Sequence, residues 1–246
     1  MKIAISQPTY LPWLGYFDLI DQVDMFVFLD NVQFEKQSWQ QRNRIKTPMG
    51  LQWLTVPVIF RGRFGQLIQD VEIRDTEFCK NHLRAIELNY RRAPFFDLYF
   101  PELKEHFNSV QSGSLLGDFT IRLIQWIVNT LNIQTQFMRS STIKSEGSRS
   151  ARLVNLCRSL GANSYLSPLG SMTYLMNDVA LFEEASIEVK FQNYEHPVYK
   201  QLFQPFSAYA TALDVLFNEG SRSLEIIRSG RRTSWMPSEI VQAITA

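Results

Sequence analysis

The chain has 246 residues and a formal net charge of +1 at neutral pH, so it has no general electrostatic attraction to nucleic acid or to an anionic membrane. This length allows one large α/β domain, with or without a helical appendage, and buries enough apolar surface to fold without disulfides. The two cysteines, Cys79 and Cys157, lie far apart in helix-like stretches, which favours buried free thiols in a reducing compartment.

The amino-terminal stretch MKIAISQP contains an apolar run that is too short for a signal peptide. Elsewhere, uninterrupted apolar runs stay well below the length that a membrane span needs. The sequence therefore predicts a soluble, cytoplasmic protein with no membrane partner.

The first sixty residues predict strands and a short helix. Residues 2–6 and 25–30 have the apolar character of strands, and residues 15–22 between them have helical spacing. Residues 52–58 predict another strand. A strand, a helix and a strand in this order are typical of the βαβ unit that opens a parallel sheet.

Two longer helices are predicted in the middle of the chain. Residues 76–91 place apolar side chains on one face, and Ala93-Pro94 ends this helix. Residues 115–131 carry a broader apolar stripe that is typical of core packing. We interpret the stretch of about 76–131 as a helical insertion.

The second half returns to alternating elements. Residues 134–140, 163–167 and 187–194 predict strands, and residues 150–161 predict a helix that ends at a glycine cap. The alternation indicates an α/β fold with a Rossmann-like, mostly parallel sheet and flanking helices. We expect a single α/β domain over 1–246.

The loop after the first predicted strand, QPTYLPWLGYFDLI at 7–20, is rich in aromatic residues. A loop that only reverses the chain direction needs no aromatic side chains, and ligands of parallel sheets collect where the strands end. Its glycine would let a ligand or a neighbouring strand approach the backbone. The residues predicted to bind substrate are Gln7, Tyr10, Trp13, Gly15 and Tyr16. The alternative is that the aromatic rings roof the core.

The spacing W-L-G-Y at 13–16 resembles the H-x-G-H loop of nucleotidyltransferases, class I synthetases and pantothenate synthetase. In those proteins the loop joins the first strand to the first helix and binds ATP phosphates. Trp13 and Tyr16 stand where the two histidines would be, and an indole cannot replace a charged imidazole as a phosphate donor. The resemblance implies a nucleotidyltransferase-like opening βαβ unit more than it implies ATP binding, so ATP with magnesium and no cofactor both remain open.

The segment after the second predicted strand is rich in amides and cations and precedes a hairpin turn at 48–50. Guanidinium groups bind phosphate in a bidentate way, amides form hydrogen bonds with hydroxyl groups, and tryptophan stacks on rings. The residues predicted to bind a phosphorylated, glycosylated or nucleotide-bearing ligand are Asn31, Gln33, Lys36, Trp39, Arg42, Asn43 and Arg44. The alternative is the solvated face of an edge hairpin.

Five blocks, at 7–20, 30–46, 164–175, 194–202 and 212–220, resemble in order the signature blocks of the WbqC-like family. The resemblance implies bacterial origin and a setting of surface-polysaccharide biosynthesis, with a transferase that decorates an amino sugar through an aminoacyl or acyl amide. The third block departs from the expected pattern, because Ser-Pro-Leu-Gly-Ser replaces a turn richer in glycine. That departure puts a phosphate-cradling role of this loop in doubt.

The stretch NYEHPVY follows the last predicted strand, so His196 should reach the same edge of the sheet as the opening loop. An imidazole with a pKa near neutrality can accept the proton of an attacking amine. We predict His196 as the catalytic base, with a turn-capping hydrogen bond as the alternative. No His and Cys cluster has metal-ligand spacing, so no tightly bound metal is predicted, although magnesium can arrive with a nucleotide.

The resulting hypothesis is a transferase that joins an acyl or aminoacyl group to an amino sugar. The cations of the second segment would hold phosphates of a nucleotide-activated or phosphorylated sugar, amides would bind hydroxyl groups, and His196 would deprotonate the amine. A pre-activated donor such as a thioester or an aminoacyl-tRNA would make ATP unnecessary, and nucleic acid would otherwise not be a main partner. The alternatives are a nucleotidyltransferase or ATP-dependent amide ligase, and a noncatalytic sugar- or partner-binding module.

Overall fold

The structure is a computed structural model that describes residues 1–240 of the chain. Strands and helices alternate for much of its length, and they are numbered here in chain order. The strands are β1 (Lys2–Ser6), β2 (Met25–Phe28), β3 (Arg42–Thr47), β4 (Gly50–Thr55), β5 (Gln136–Arg139), β6 (Ser164–Ser167) and β7 (Glu188–Phe191). The α-helices are α1 (Leu14–Asp21), α2 (Glu77–Tyr90), α3 (Phe96–Asn108), α4 (Leu116–Thr130), α5 (Arg149–Ser159), α6 (Met172–Leu175), α7 (Val179–Glu184), α8 (Leu213–Glu219) and α9 (Ser223–Ser229).

Five strands form one sheet in the order β5-β2-β1-β6-β7, and every pairing in it is parallel. β3 and β4 form a separate antiparallel hairpin. This arrangement confirms the predicted α/β, Rossmann-like fold with a mostly parallel sheet and flanking helices.

Both faces of the sheet are covered, as parallel sheets require. Ile3 and Ile5 of β1 pack on one face with Leu153 of α5 and the strand residue Val189. Ala4 packs on the opposite face, in a larger cluster that includes side chains of α1, α2, α4 and α8. The alternation along β1 follows from the two-residue period of a strand.

The helical insertion that the sequence predicts over about 76–131 corresponds to α2, α3 and α4 between the hairpin and β5. The sequence predicts no helix between 92 and 114, but the structure has α3 over much of this stretch. Pro94 lies just before this helix and Pro101 lies inside it, and proline is a poor sequence signal for a helix because it lacks an amide donor.

The hairpin turn predicted at 48–50 joins β3 to β4, whereas the bounds of the strand predicted at 52–58 are wrong. β4 covers Gly50–Thr55 and pairs with β3 in the hairpin, whereas the main sheet continues from β2 to β5. The sequence signals a strand at this point but carries no information about which sheet the strand joins. Helices α8 and α9 were also not predicted.

The order of the strands fixes where a ligand can enter. From β1 the chain moves outward to β2 and β5, and it then returns to β6 and β7 on the other side of β1. Strand order therefore reverses beside β1, and a crevice opens at the carboxyl ends of β1 and β6. None of the helices within residues 1–240 is long and apolar enough to cross a membrane.

Candidate functional site

Four adjoining chambers form a cleft at the carboxyl ends of β1, β2 and β6. Two of them flank the opening loop. The aromatic chamber, of about 290 Å³, is lined by Thr9, Trp13, Tyr16, Trp39, Asn43, Arg44 and Tyr209. The rear chamber, of about 320 Å³, is lined in part by Trp13, Gly15, Tyr16, Gly170, Gln192 and Tyr194.

The other two chambers lie along the crevice where the strand order reverses. The central chamber, of about 310 Å³, is lined in part by Ser6, Gln7, Thr9, Glu35, Trp39, Gln40, Tyr165 and Pro168. The outer chamber, of about 510 Å³, is lined by Leu29, Val32, Arg149, Arg152, Leu153, Tyr174, Asn177 and Asp178. Thr9 and Trp39 are common to the aromatic and central chambers, and Leu29, Leu153 and Tyr174 are common to the central and outer chambers. Trp13 and Tyr16 are common to the aromatic and rear chambers, so all four adjoin in one cleft.

Most of the aromatic chamber is lined by four aromatic residues, Trp13, Tyr16, Trp39 and Tyr209, and by the Arg44 guanidinium. Trp13 and Tyr209 lie with ring centroids 5.3 Å apart, and about half of the surfaces of Trp39 and Tyr209 are exposed. The Arg44 guanidinium carbon lies 5.5 Å from the Trp39 ring and 5.3 Å from the Trp53 ring. Arg44 Nε is buried and has no hydrogen-bond partner among the described residues. The chamber therefore offers stacking faces beside a cation with unused donor capacity.

Trp13 holds its position because residue 15 is a glycine. A Cβ atom at Gly15 would lie 2.3 Å from the Trp13 indole, a distance at which the two groups cannot coexist. The indole therefore covers the backbone at the start of α1, where the sequence suggested that a ligand or a strand would approach. Glycine is required here by a neighbouring side chain.

Hydrogen bonds from β3 fix the opening loop above the cleft. Asn43 Nδ2 donates to the carbonyl oxygens of Tyr10 at 3.1 Å and Leu11 at 2.8 Å. Leu11 has φ of +43°, a left-handed conformation that costs a non-glycine residue free energy unless its surroundings hold it. On the other side, the Thr211 amide donates to the Arg44 carbonyl at 2.9 Å. The loop, the hairpin and the segment around Thr211 thus form one frame.

The central chamber carries amides and a carboxylate. Gln40 Nε2 donates to Gln7 Oε1 at 2.9 Å, and Gln40 Oε1 accepts from the Glu35 amide at 3.0 Å. These bonds orient Gln7 toward the end of β1. The Glu35 carboxylate accepts no hydrogen bond and forms no ion pair within residues 1–240, and the residue is exposed to the chamber. Glu35 is the carboxylate with the freest acceptor atoms in this part of the cleft.

His196 lies behind the aromatic chamber. Its Nδ1 lies 2.9 Å from the Pro197 carbonyl oxygen, which only accepts, so Nδ1 carries the hydrogen and Nε2 carries the lone pair. Burial lowers the pKa of the imidazole, and the bond to Pro197 opposes this effect. The ring stacks on Trp13 with centroids 6.1 Å apart, and Nε2 is buried without a partner among the described residues. A ligand in the aromatic chamber therefore meets Trp13 before it meets His196.

Seven residues predicted from the sequence line the cleft, and six do not line any of its four chambers. The seven are Gln7, Trp13, Gly15, Tyr16, Trp39, Asn43 and Arg44. The six are Tyr10, Asn31, Gln33, Lys36, Arg42 and His196.

Most of those six have other partners. Tyr10 is fully buried, with its hydroxyl 2.8 Å from His82 Nδ1, so it belongs to the core. The Asn31 amide bonds to Ser140. Lys36 Nζ lies 3.7 Å from the centre of the Phe60 ring.

Arg42, a cation of strand β3, also stacks on an aromatic ring. The guanidinium carbon of Arg42 lies 4.4 Å from the centre of the Trp53 ring. Gln33 is exposed and its backbone bridges to Leu67. The predicted cationic run is therefore divided, because Arg44 lines the aromatic chamber while the other cations stack on rings outside it.

Several cleft residues were not predicted. Tyr209 lies in a stretch without hydrophobic periodicity. Glu35 lies within a run of cations and amides, and only those residue types were predicted to bind a ligand. The sequence contains a signal for Arg149 and Arg152, because both lie in the first turn of a helix, where the macrodipole disfavours cations. Tyr174 lies in a block that the family resemblance had marked.

No three His, Cys, Asp or Glu side chains within residues 1–240 lie close enough together to hold a metal ion. The fold and the cleft together define an α/β protein with a Rossmann-like sheet and a cleft at its topological switch point. The model of the WbqC-like protein family matches residues 7–226, and the chain belongs to this family.

A relative from Mycobacterium tuberculosis (strain ATCC 25618 / H37Rv), the uncharacterized protein Rv1507c, is 37% identical over 235 residues. The alignment covers 94% of this chain and 99% of the relative, so the similarity extends over the cleft as well as the sheet. No solved structure matches this chain significantly.

Proposed function

We propose that this protein is a transferase that binds an amino sugar in the aromatic chamber and converts its amine into an amide with an acyl or aminoacyl group. The observation that carries the proposal is the wall of Trp13, Trp39 and Tyr209 beside the Arg44 guanidinium. Aromatic faces bind the apolar face of a pyranose ring, and a few oriented polar groups select its substituents. Arg44 adds donors that suit the oxygen atoms of a sugar or of a phosphate attached to it.

The chemistry needs an activated donor and a proton acceptor. The amine nitrogen of the sugar attacks the acyl carbon, the new C–N bond forms, and the leaving group departs with the pair of electrons of the bond that breaks. The nitrogen loses one proton to a base. A donor that is already activated, such as a thioester, requires no ATP.

Glu35 is our choice for this base, because it lines the central chamber and its carboxylate is not engaged by the described residues. His196 keeps an unprotonated Nε2 but lies behind Trp13. The two assignments differ in the variants that abolish turnover. Loss of activity in Glu35→Gln with activity retained in His196→Gln supports the carboxylate, and the opposite result supports the imidazole.

Ligand-induced thermal stabilisation tests the site. The panel contains free amino sugars, nucleotide-activated amino sugars, acyl-CoA and ATP. A ligand at 100 times its Kd contributes about 2.7 kcal/mol, which raises the midpoint of a protein of this size by roughly 5–10 °C. We expect an amino-sugar ligand to give such a shift.

Trp39→Ala should abolish the sugar-dependent shift because it removes a half-exposed stacking face from the chamber. Phe64→Ala is the matched control, since Phe64 is a fully exposed aromatic residue that does not line the cleft. A shift that survives Trp39→Ala would contradict the proposed site. A shift with ATP alone would favour a nucleotidyltransferase or an ATP-dependent ligase, and sugar binding without turnover would favour a binding module.

A further inference from the structure

The outer chamber is the largest of the four, at about 510 Å³, and the proposed transfer reaction leaves it unused. It adjoins the central chamber through Leu29, Leu153 and Tyr174. It therefore continues the crevice away from the aromatic chamber. Its volume exceeds what a phosphate group alone occupies.

Two guanidinium groups line this chamber without carboxylate partners. Arg149 makes no side-chain hydrogen bond and no ion pair in the described part of the chain, and it is exposed. Arg152 donates to the carbonyl oxygens of Asn31 at 2.8 Å and Gly147 at 3.0 Å. The carboxylate in the lining, Asp178, accepts from the Ser150 hydroxyl. The chamber thus presents a net positive charge with donor groups to spare.

Arg149 occupies an unfavourable place. Its φ is +50°, in the left-handed region that costs a side-chain-bearing residue free energy, and it begins α5, where the helix dipole repels a cation. An anion in the chamber would offset the electrostatic part of this cost. The chamber also has apolar surface from Leu29 and Val32 and the half-exposed ring of Tyr174.

We propose that the outer chamber binds the diphosphate and nucleoside of a nucleoside-diphosphate sugar whose sugar ring lies in the aromatic chamber. Arg149 and Arg152 bind the phosphate oxygens, the Tyr174 ring stacks on the nucleoside, and Asp178 accepts hydrogen bonds from its hydroxyl groups. This assignment rests on the proposed function, because the sugar at the other end of the cleft is the substrate proposed above. It makes the acceptor a nucleotide-activated amino sugar.

Calorimetric titration tests the assignment with UDP, dTDP, ADP and GDP, with inorganic pyrophosphate and with the unphosphorylated nucleosides. We expect at least one nucleoside diphosphate to bind, with an affinity that falls as the salt concentration rises. Arg149→Ala should weaken this binding at least tenfold. Arg158→Ala should leave it within twofold, because Arg158 is an exposed arginine of the same helix outside the chamber.

Three results would overturn the assignment: no nucleoside diphosphate binds at millimolar concentration, Arg149→Ala binds as the unchanged protein does, or pyrophosphate binds as tightly as the nucleotides. Arg149 is exposed and its side chain forms no hydrogen bond or ion pair in the described residues, so its replacement threatens folding little. Arg152→Lys provides a second variant that keeps the charge. Titration with free amino sugars separates the two proposals. If amino sugars bind in a Trp39-dependent way and no nucleotide binds, only the outer-chamber assignment is refuted. If a nucleoside diphosphate binds and no amino sugar does, only the proposed sugar site is refuted.

Discussion

At the scale of single residues, the cleft depends on how Trp13 fits against Gly15. The indole occupies the space that any larger residue at position 15 would need, and the same indole forms a wall of the aromatic and rear chambers. One small residue thus determines where a large ring stands. The aromatic residues of the opening loop thus have two roles: Trp13 lines the cleft, whereas Tyr10 is buried in the core.

Gly15→Ala tests this dependence. The added methyl group would meet the Trp13 ring, and overpacking of this kind costs about 1–3 kcal/mol of the free energy of unfolding. Urea unfolding measures the loss, and we expect the Trp39-dependent sugar shift to be lost as well. Gly170→Ala is the control, because no atom lies within 4 Å of a Cβ built there. Equal stability of the two variants would show that Trp13 moves aside without cost.

At the scale of elements, a buried hydrogen bond joins helix α2 to the opening loop. His82 of α2 lies with Nδ1 2.8 Å from the Tyr10 hydroxyl, and burial lowers the pKa of its imidazole to about 4. The folded protein therefore holds this histidine neutral, whereas the unfolded chain protonates it near pH 6.5. The link between helix and loop is accordingly sensitive to acid.

The sign of the pH dependence follows from these two pKa values. Between pH 6.5 and 4 the unfolded state binds the proton that the folded state excludes, so the free energy of unfolding falls as the pH falls. Between pH 7.5 and 5 the expected loss due to His82 is about 2 kcal/mol. We expect His82→Gln to remove this part of the pH dependence, as urea unfolding at both pH values would measure. An unchanged difference between pH 7.5 and 5 in the variant would contradict the assignment.

The sequence predicted those elements whose signal lies within one element. The apolar faces of α2 and α4 predict these helices, and short apolar runs predict β1 and β2. The proline at 101 obscured the helical pattern of α3. The turn at 48–50 predicted a hairpin, but no local pattern revealed that this hairpin stays outside the main sheet. Pairing partners and chamber walls depend on distant segments, which explains why Tyr209 and Glu35 were not predicted as cleft residues.

At the scale of the whole molecule, the end of the described chain is tied to its beginning. Arg231 Nε donates to the fully buried carboxylate of Asp18 at 2.8 Å, and the same guanidinium bonds to Asp21. Gln192, just after β7, also donates to Asp18 at 2.8 Å. These contacts hold α1, which carries Trp13 at its amino-terminal end, against segments that are nearly two hundred residues away.

Arg231→Ala should cost about 3 kcal/mol or more of the free energy of unfolding, since it leaves a buried carboxylate without its cation. The neighbouring Arg232→Ala is the control. Arg232 pairs with Glu195 at the surface, where such a pair contributes less than about 1 kcal/mol. Denaturant unfolding of both variants gives the comparison, and similar losses in the two would refute the role assigned to Arg231.

The walls of the aromatic chamber are synthesised at different times during translation. Trp13 is translated early. Its neighbours Tyr209 and Thr211, whose backbone bridges to that of Trp13, are translated almost two hundred residues later. At 5–20 residues per second, this interval lasts about 10–40 s. During that time Trp13 lacks the Tyr209 ring and the Thr211 backbone beside it, and a chain released before Tyr209 would contain all five strands of the main sheet without this side of the aromatic chamber.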